Sequence, residues 1–198
     1  MQENRAVIRL DFIRANAQYF LSRAHGAKLC AVVKADAYGH GAPAVAQALA
    51  GTAGSFAVAL VEEGAQLRHA GIAEDILVLC PPLSEEDVVR GARHRLIFTV
   101  ADASDYALLA RTCERYGLCV SCHIKVNTGM NRFGFDGDGF SRFLAGALSG
   151  CVRVEGIYSH FYRPDIAEVT GQEFELFQRY CAAAERAFGS LVRHIAAT

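Results

Sequence analysis

The segment with the clearest chemical potential is residues 31–41, Ala-Val-Val-Lys-Ala-Asp-Ala-Tyr-Gly-His-Gly. A short apolar run ends at Lys34, and a glycine-rich polar turn follows it directly. If residues 29–33 form a buried parallel strand, Lys34 lies at its carboxyl end, where side chains of α/β folds face ligands. An amine there can form a Schiff base with pyridoxal phosphate, whose ring takes up the carbanion made at an amino acid's α-carbon. Tyr38, one short turn further on, can reach the phosphate of that cofactor with its hydroxyl.

A second cationic segment is residues 124–135, Ile-Lys-Val-Asn-Thr-Gly-Met-Asn-Arg-Phe-Gly-Phe. Lys125 ends a predicted strand, and Arg132 lies on the loop after it. The planar fork of an arginine anchors a carboxylate or a phenolate through two parallel, charge-assisted hydrogen bonds. Taken alone, these residues fit equally well a lysine and an arginine that pair with loop carboxylates.

Two shorter segments also end predicted strands. Residues 157–161 read Ile-Tyr-Ser-His-Phe, and residues 194–198 read His-Ile-Ala-Ala-Thr. A histidine at a strand end, such as His160, is more often a satisfied core or rim residue than a ligand-binding one. Thr198 offers a hydroxyl.

Short β-prone runs alternate along the chain with longer stretches of helical period. A helix is expected from a cap-like Asp11 to about Ala24, another over residues 106–113 with Gly117 as its stop, and a third along an apolar stripe from Phe174 to Phe188. The strands are predicted at residues 28–33, 55–60, 75–80, 96–99, 119–125, 153–159 and 191–197. This βα alternation with right-handed crossovers favours a TIM-type (β/α) barrel over a doubly wound sheet.

The four segments together resemble the motifs of the alanine racemase family, pyridoxal phosphate enzymes of fold type III. The resemblance implies that Lys34 is the lysine that binds the cofactor. It also implies that Lys125 is carbamylated and holds Arg132, which touches the cofactor's phenolic oxygen and the substrate carboxylate. Asn127 replaces the aspartate that is usual in this motif.

The resemblance further implies that His160 packs against the pyridine ring and that Thr198 takes the place of a phosphate-binding serine. Ala197 stands where asparagine is usual. Since a complete barrel has eight strands and about 250 residues, the chain is expected to be an N-terminal cofactor-binding barrel over residues 1–198. It is expected to be interrupted after about seven strands and to lack the C-terminal β domain.

The activity that the resemblance implies is that of an isomerase, an amino-acid racemase that interconverts L- and D-alanine and supplies D-alanine to peptidoglycan. The family's C-terminal domain donates a tyrosine base to the partner subunit, so the full-length protein is expected to be a homodimer. Three alternatives stay open: a racemase for serine or another small amino acid, a non-catalytic barrel that binds pyridoxal phosphate, and an inactive truncated fragment.

Composition excludes several other classes of function. The chain has 198 residues, a formal net charge of -1 and 52% hydrophobic residues, so neither a nucleic-acid surface nor a membrane-attracting patch is indicated. Its apolar runs are too short to cross a bilayer, and the N-terminus has no apolar signal segment, which together predict a cytoplasmic protein. The seven cysteines fit reduced thiols better than a disulfide framework.

Two motif-like patterns carry little weight. Cys119 and Cys122 have redox-motif spacing but lie in a predicted strand, where residues three apart face opposite sides. Residues 136–139, Asp-Gly-Asp-Gly, resemble the start of a calcium loop but lack its later ligands. We expect residues 136–139 to be a plain loop, and no metal site.

Overall fold

The structure, a computed structural model, describes residues 5–146 and 148–196. The chain divides into two compact units, Met1–Leu79 and Cys80–Thr198. In the described part of the first unit the elements follow the order α1 (Leu10–Arg23), β1 (Cys30–Val32), α2 (Lys34–Gly39), α3 (Ala42–Leu49), β2 (Ser55–Val58), α4 (Val61–His69) and β3 (Asp75–Val78). β1 pairs with β2, and β2 with β3, both in parallel.

The second unit continues the same alternation. Its described elements are α5 (Glu85–Arg93), β4 (Ile97–Val100), α6 (Ala103–Tyr116), β5 (Val120–Lys125), α7 (Gly137–Ala145), β6 (Val152–His160), α8 (Ala167–Phe188) and β7 (Val192–Ala196). β4, β5, β6 and β7 pair in that order, each pair in parallel. None of the helices in the described residues is long and apolar enough to cross a membrane.

The strands carry the core of each unit. Phe56 and Ile76 in the first unit, and Phe98, Ile124 and Ile157 in the second, are fully buried. Most residues of β2 to β6 are buried, whereas β1 and β7 are only partly buried. Parallel strands that are covered on both faces are apolar along most of their length instead of alternating. This explains why short apolar runs predicted the strands, and each of the seven predictions is confirmed. The observed strands differ by a few residues at their ends, and residue 197, the predicted end of the last strand, lies outside the described residues.

The predicted helices are present, with one error at a helix start. α1 begins at Leu10, and its N-cap Arg9 makes no side-chain capping bond. Asp11, predicted as the cap, lies inside the first turn, where its carboxylate pairs with the Arg9 guanidinium at 2.7 Å. α6 ends as predicted, at Gly117, which adopts a left-handed conformation with φ of 63°.

α7 and α8 also differ from the sequence predictions. The segment at residues 136–139 is a helix start and not a plain loop, because Asp136 Oδ1 accepts a hydrogen bond from Gly139 N at 2.8 Å and caps α7. α8 begins well before the predicted stripe. On the predicted apolar stripe, Phe174 is 43% exposed, whereas Phe177 is buried.

The cysteines are free thiols throughout the described residues. Cys119 lies just before β5, not inside the strand as predicted, and is exposed, whereas Cys122 lies in β5 and is buried. Burial raises the pKa of the Cys122 thiol. Within the described residues, no group of three or more His, Cys, Asp or Glu side chains could hold a metal ion.

The contact between α5 and β4 depends on a glycine. A Cβ atom added to Gly91 would lie 2.8 Å from Cε1 of the Phe98 ring, and Phe98 is fully buried. Since the ring cannot move into solvent, α5 can approach the strand this closely only with glycine at position 91.

We therefore expect Gly91→Ala to lower the free energy of unfolding by about 1–3 kcal/mol through overpacking. Gly171→Ala is the matched control, since Gly171 lies in α8 with nothing within 4 Å of an added Cβ. The control should raise the free energy of unfolding by up to about 1 kcal/mol, because alanine is the better helix former. Urea unfolding measures both variants, and stabilisation by both would contradict the close approach.

Candidate active site

Lys34 directly follows the hydrogen-bonded ladder of β1 and β2. The amide of Val33 donates to the carbonyl of Ala57 at 2.8 Å, so the ladder extends to the residue before Lys34. The lysine side chain is half-buried. The structure thus places Lys34 at the carboxyl end of a parallel strand, the edge at which α/β proteins bind ligands.

The turn after Lys34 is left-handed. Four consecutive residues that are not glycine, Ala35 to Tyr38, have φ between 51° and 56°. Left-handed backbone costs about 1–2 kcal/mol for each such residue, so the surrounding contacts must hold it in place. The sequence predicts a turn here, but its handedness was not anticipated.

Hydrogen bonds at both ends hold the left-handed turn. At its start, the amide of Ala37 donates to the carbonyl of Val33 at 2.9 Å. At its end, the Asp36 carbonyl accepts from Gly41 at 2.9 Å, and Asp36 Oδ1 accepts from Ala42, the first residue of α3, at 2.7 Å. Tyr38 lies on this turn with 59% of its surface exposed, which leaves the side chain accessible to a ligand.

Lys125 lies at the end of β5 and is 4% exposed. Its Nζ donates to the carbonyl oxygen of Val126 at 3.1 Å and lies 3.5 Å from Ser159 Oγ. Burial, together with the positive charge of Arg132, lowers the pKa of Lys125 from its ordinary value of 10.5 to about 8. Near physiological pH, a lysine with this pKa has a larger neutral fraction than an ordinary lysine, and that fraction can act as a nucleophile.

Arg132 lies on the loop after β5, as predicted, and is exposed. Its guanidinium carbon is 5.5 Å from the centroid of the Phe133 ring. Asn127 ties this loop together, because its Oδ1 accepts the amides of Gly129 and Asn131 at 3.2 and 3.0 Å. Since an amide oxygen makes both bonds, asparagine replaces aspartate here without losing these contacts.

His160 is the last residue of β6 and is half-buried. In the ladder it is the partner of Ala196 in β7. Thr198, predicted to bind phosphate, lies outside the described residues. The structure therefore shows that His160 ends its strand, while the roles predicted for both residues stay predictions.

A histidine pair that the sequence predictions gave no role lies beside Lys125. His123 Nδ1 and His194 Nε2 are 2.9 Å apart, and the His194 ring stacks on the Tyr158 ring with centroids 4.8 Å apart. Burial, then the charges of His123 and Lys125, lower the pKa of His194 to about 3. Tyr158 in turn hydrogen-bonds Thr99, with its hydroxyl 2.8 Å from Oγ1. His194 is therefore a neutral imidazole at physiological pH.

The sequence predictions also missed two carboxylates, the half-buried Glu63 and the buried Glu173. Glu63 accepts the amide of Ala35, the residue after Lys34, at 2.7 Å. Glu173 is 4% exposed, and its two oxygens accept the amide of Tyr162 at 3.2 and 3.1 Å. No local signal reveals either contact, because each bond joins distant parts of the chain. His123 had a signal, since a residue two before Lys125 faces the same side of a strand.

Lys34, Tyr38 and Glu63 belong to the first unit, whereas Lys125, Arg132 and His160 belong to the second. Comparison with known proteins relates both sets to one family. The family described as "Alanine racemase, N-terminal domain" matches residues 8–198. The chain belongs to this family.

Curated relatives agree with this membership. The alanine racemase of Treponema pallidum is 37% identical over 182 residues, a match that covers 89% of this chain and 48% of that protein. The alanine racemase of Pseudomonas syringae is 41% identical over 170 residues, which cover 83% of this chain and 46% of the relative. The chain spans about half the length of the curated relatives it matches.

Solved structures of the alanine racemase family share the fold. The alanine racemase of Streptomyces lavendulae matches with a TM-score of 0.84 and 28% identity over 95% of this chain and 51% of its own. That of Corynebacterium glutamicum gives a TM-score of 0.82 and 30% identity over 95% of this chain and 54% of its own. These matches confirm the predicted fold class, an α/β fold of the TIM-barrel type.

The lowered pKa of Lys125 predicts a pH-dependent stability. The unfolded chain protonates Lys125 below about pH 10.5, while the folded chain protonates it only below about pH 8. Burial of Lys125 therefore destabilises the fold fully below pH 8, and this penalty disappears as the pH rises from 8 to 10.5. Lys125→Met lacks the penalty. The free energy of unfolding of Lys125→Met minus that of wild type should therefore be about 3 kcal/mol larger below pH 8 than near pH 10.5.

Chemical unfolding across this pH range, in buffer free of carbon dioxide, measures the difference. Lys28→Met is the control, because it removes the charge of an exposed lysine. A flat profile for Lys125→Met would mean that the Lys125 amine is not desolvated.

Proposed function

We propose that this chain is the cofactor-binding N-terminal domain of an alanine racemase and that Lys34 holds pyridoxal phosphate. The observation that carries the proposal is the position of Lys34, at the carboxyl end of β1 and at the start of a left-handed turn, within a family match that runs from residue 8 to 198. The proposed reaction is the interconversion of L- and D-alanine, which supplies D-alanine for peptidoglycan. The two curated relatives named above support this choice of substrate, since both are alanine racemases.

The available side chains suit this cofactor. Pyridoxal phosphate presents a carbonyl carbon, a phosphate and a phenolic oxygen, which call for an amine, hydroxyls and a cation. Lys34 supplies the amine, and Tyr38 supplies an accessible hydroxyl for the phosphate. Arg132 supplies the cation and His160 a ring that can pack against the pyridine. We propose that Thr198 adds a second hydroxyl to the phosphate.

Bound pyridoxal phosphate supplies an electron sink that acidifies the α-hydrogen of the amino acid. Arg132 binds the substrate carboxylate through its planar fork and so orients the α-carbon. The Lys34 amine, once free, accepts the α-proton on one face and returns a proton to the same face. The left-handed turn keeps the backbone of this lysine rigid, which favours a fixed position of its amine.

We propose that Lys125 is carbamylated. Its neutral amine attacks carbon dioxide, a nitrogen–carbon bond forms, and the proton of the amine passes to water. The product is an anion next to Arg132. This anion replaces the repulsion that lowers the pKa of Lys125 with an attraction that holds the guanidinium in place.

Inversion requires a second base on the opposite face of the α-carbon. We propose that this base is the tyrosine of a C-terminal β domain, contributed by the partner subunit of a homodimer. The match to about half of each relative supports this division of labour. A cytoplasmic location is also proposed, since all seven cysteines are free and free thiols suit a reducing compartment.

The first test is covalent attachment of the cofactor. The sequence contains only three lysines, Lys28, Lys34 and Lys125, so attachment sites are easily separated. Incubation with pyridoxal phosphate, reduction with borohydride and peptide mass spectrometry should place the label on Lys34, because this amine lies at the ligand edge. Lys34→Ala should lose the label, and Lys28→Ala should keep it. Labelling spread evenly over the lysines would refute the assignment.

The second test uses L-alanine in deuterated buffer with the chain loaded with pyridoxal phosphate. We expect slow incorporation of deuterium at the α-carbon of L-alanine and no D-alanine, because Lys34 serves one face only. Arg132→Lys keeps the charge but loses the planar fork, so it should slow the incorporation about tenfold or more. Mass spectrometry and chiral chromatography measure the two products.

Two results would contradict this proposal. Formation of D-alanine at an enzymatic rate, about 1–1000 per second, would show that a second domain is not required. An unchanged rate in Arg132→Lys would place Arg132 away from the substrate.

A further inference from the structure

One oxygen of the Glu63 carboxylate caps a helix. Glu63 is the third residue of α4, and its Oε2 accepts the amides of Ala59 and Leu60 at 2.6 and 3.0 Å. These two amides precede the helix, at the positions where helix starts leave donors to be satisfied. The cap explains one oxygen of Glu63 and leaves the other available.

The same capping device recurs in the second unit with aspartate. Asp87, the third residue of α5, accepts two preceding amides through Oδ2 at 2.9 and 3.1 Å. Asp105, the third residue of α6, accepts two through Oδ2 at 2.8 and 3.2 Å. Aspartate is therefore long enough for this task. The additional methylene of Glu63 is not needed for capping.

The second oxygen of Glu63 reaches the turn that follows Lys34. Glu63 Oε1 accepts the amide of Ala35 at 2.7 Å, a contact between residues 28 positions apart. Ala35 is the first of the four left-handed residues. The short distance and the negative charge of the acceptor are typical of the stronger hydrogen bonds in proteins.

From this geometry we propose that Glu63 is a positioning residue for Lys34. By holding the Ala35 amide, Glu63 fixes the peptide plane between Lys34 and Ala35 and keeps the turn in its left-handed conformation. Without this bond, Ala35 can relax to a right-handed conformation that costs less. Such a change would turn the Lys34–Ala35 peptide plane, and the main chain would no longer hold Lys34 in one position at the ligand edge. The inference rests on the proposed role of Lys34 as the cofactor lysine.

Glu63→Asp separates positioning from capping. The shorter carboxylate of this variant should keep the two capping bonds, as Asp87 and Asp105 do, but it lacks the methylene needed to reach Ala35 as well. Glu63→Gln is a second variant, which keeps the length of the side chain but replaces one oxygen by an NH₂ group. This group must face either the amides of Ala59 and Leu60 or the amide of Ala35. Asp105→Ala is the matched control, since it removes the equivalent cap from α6, where Asp105 accepts the amides of Ala101 and Asp102.

The first readout is hydrogen exchange of the Ala35 amide, measured by NMR on the chain without cofactor. In Glu63→Asp this amide should exchange about tenfold faster or more, a change equal to about 1.4 kcal/mol. The amides of Ala59 and Leu60 should keep their protection. Asp105→Ala should lower the midpoint of unfolding without a selective change at Ala35.

The second readout is the rate at which pyridoxal phosphate attaches to Lys34, trapped with borohydride. Glu63→Asp should lower this rate about tenfold or more, and Glu63→Gln should lower it only in proportion to its loss of Ala35 protection. Asp105→Ala should match wild type under conditions where it is folded. Unchanged exchange at Ala35 in Glu63→Asp would overturn the proposal. The proposal would also be overturned if Glu63→Asp lost protection at the Ala35 amide but kept the wild-type rate of attachment. That result would leave the proposed role of Lys34 intact. Absence of attachment to Lys34 in wild type would overturn both.

Discussion

Parallel pairing of strands is the constraint on which the rest of the structure depends. It brings the carboxyl ends of neighbouring strands to one edge, and each candidate residue follows such an end. In the first unit Lys34 extends β1. In the second unit Lys125 ends β5 and His160 ends β6, and the ladder pairs Lys125 with Tyr158. Because most residues of β2 to β6 are buried, the strand ends are where polar side chains can meet a ligand without disrupting the core.

The two lysines, one in each unit, are positioned in different ways. The turn after Lys34 adopts a backbone conformation that costs free energy at four positions, and hydrogen bonds from Asp36 and Glu63 compensate for part of it. Lys125 instead sits in ordinary backbone but in a buried place, where desolvation lowers its pKa. The backbone turn thus fixes the position of Lys34, whereas burial sets the pKa of Lys125. Rigid placement suits the role proposed for Lys34, and a lowered pKa suits the carbamylation proposed for Lys125.

The sequence predicted the elements well where local pattern reflects burial. Apolar runs marked the seven strands, and Gly117 marked the end of α6. The sequence predictions were wrong at two helix starts, where a side chain had more than one possible local partner. Asp11 pairs with Arg9 instead of capping α1, and Asp136 caps a helix where a loop was expected. The left-handed conformation of residues 35–38 had no signal, because alanine, aspartate and tyrosine in a row do not favour it.

The sequence by itself determined the family, the fold class and the positions of Lys34, Lys125, Arg132 and His160 relative to their strands, since these depend on short motifs and on hydrophobic patterning. Only the tertiary structure decided the contacts that tune them. Glu63 meets Ala35 across 28 residues, and His123 meets His194 across 71. Burial of Lys125 and the neutrality of His194 likewise arise from packing. Such contacts join distant segments, and desolvation depends on everything that surrounds a group, so neither can be read from the residues next to it.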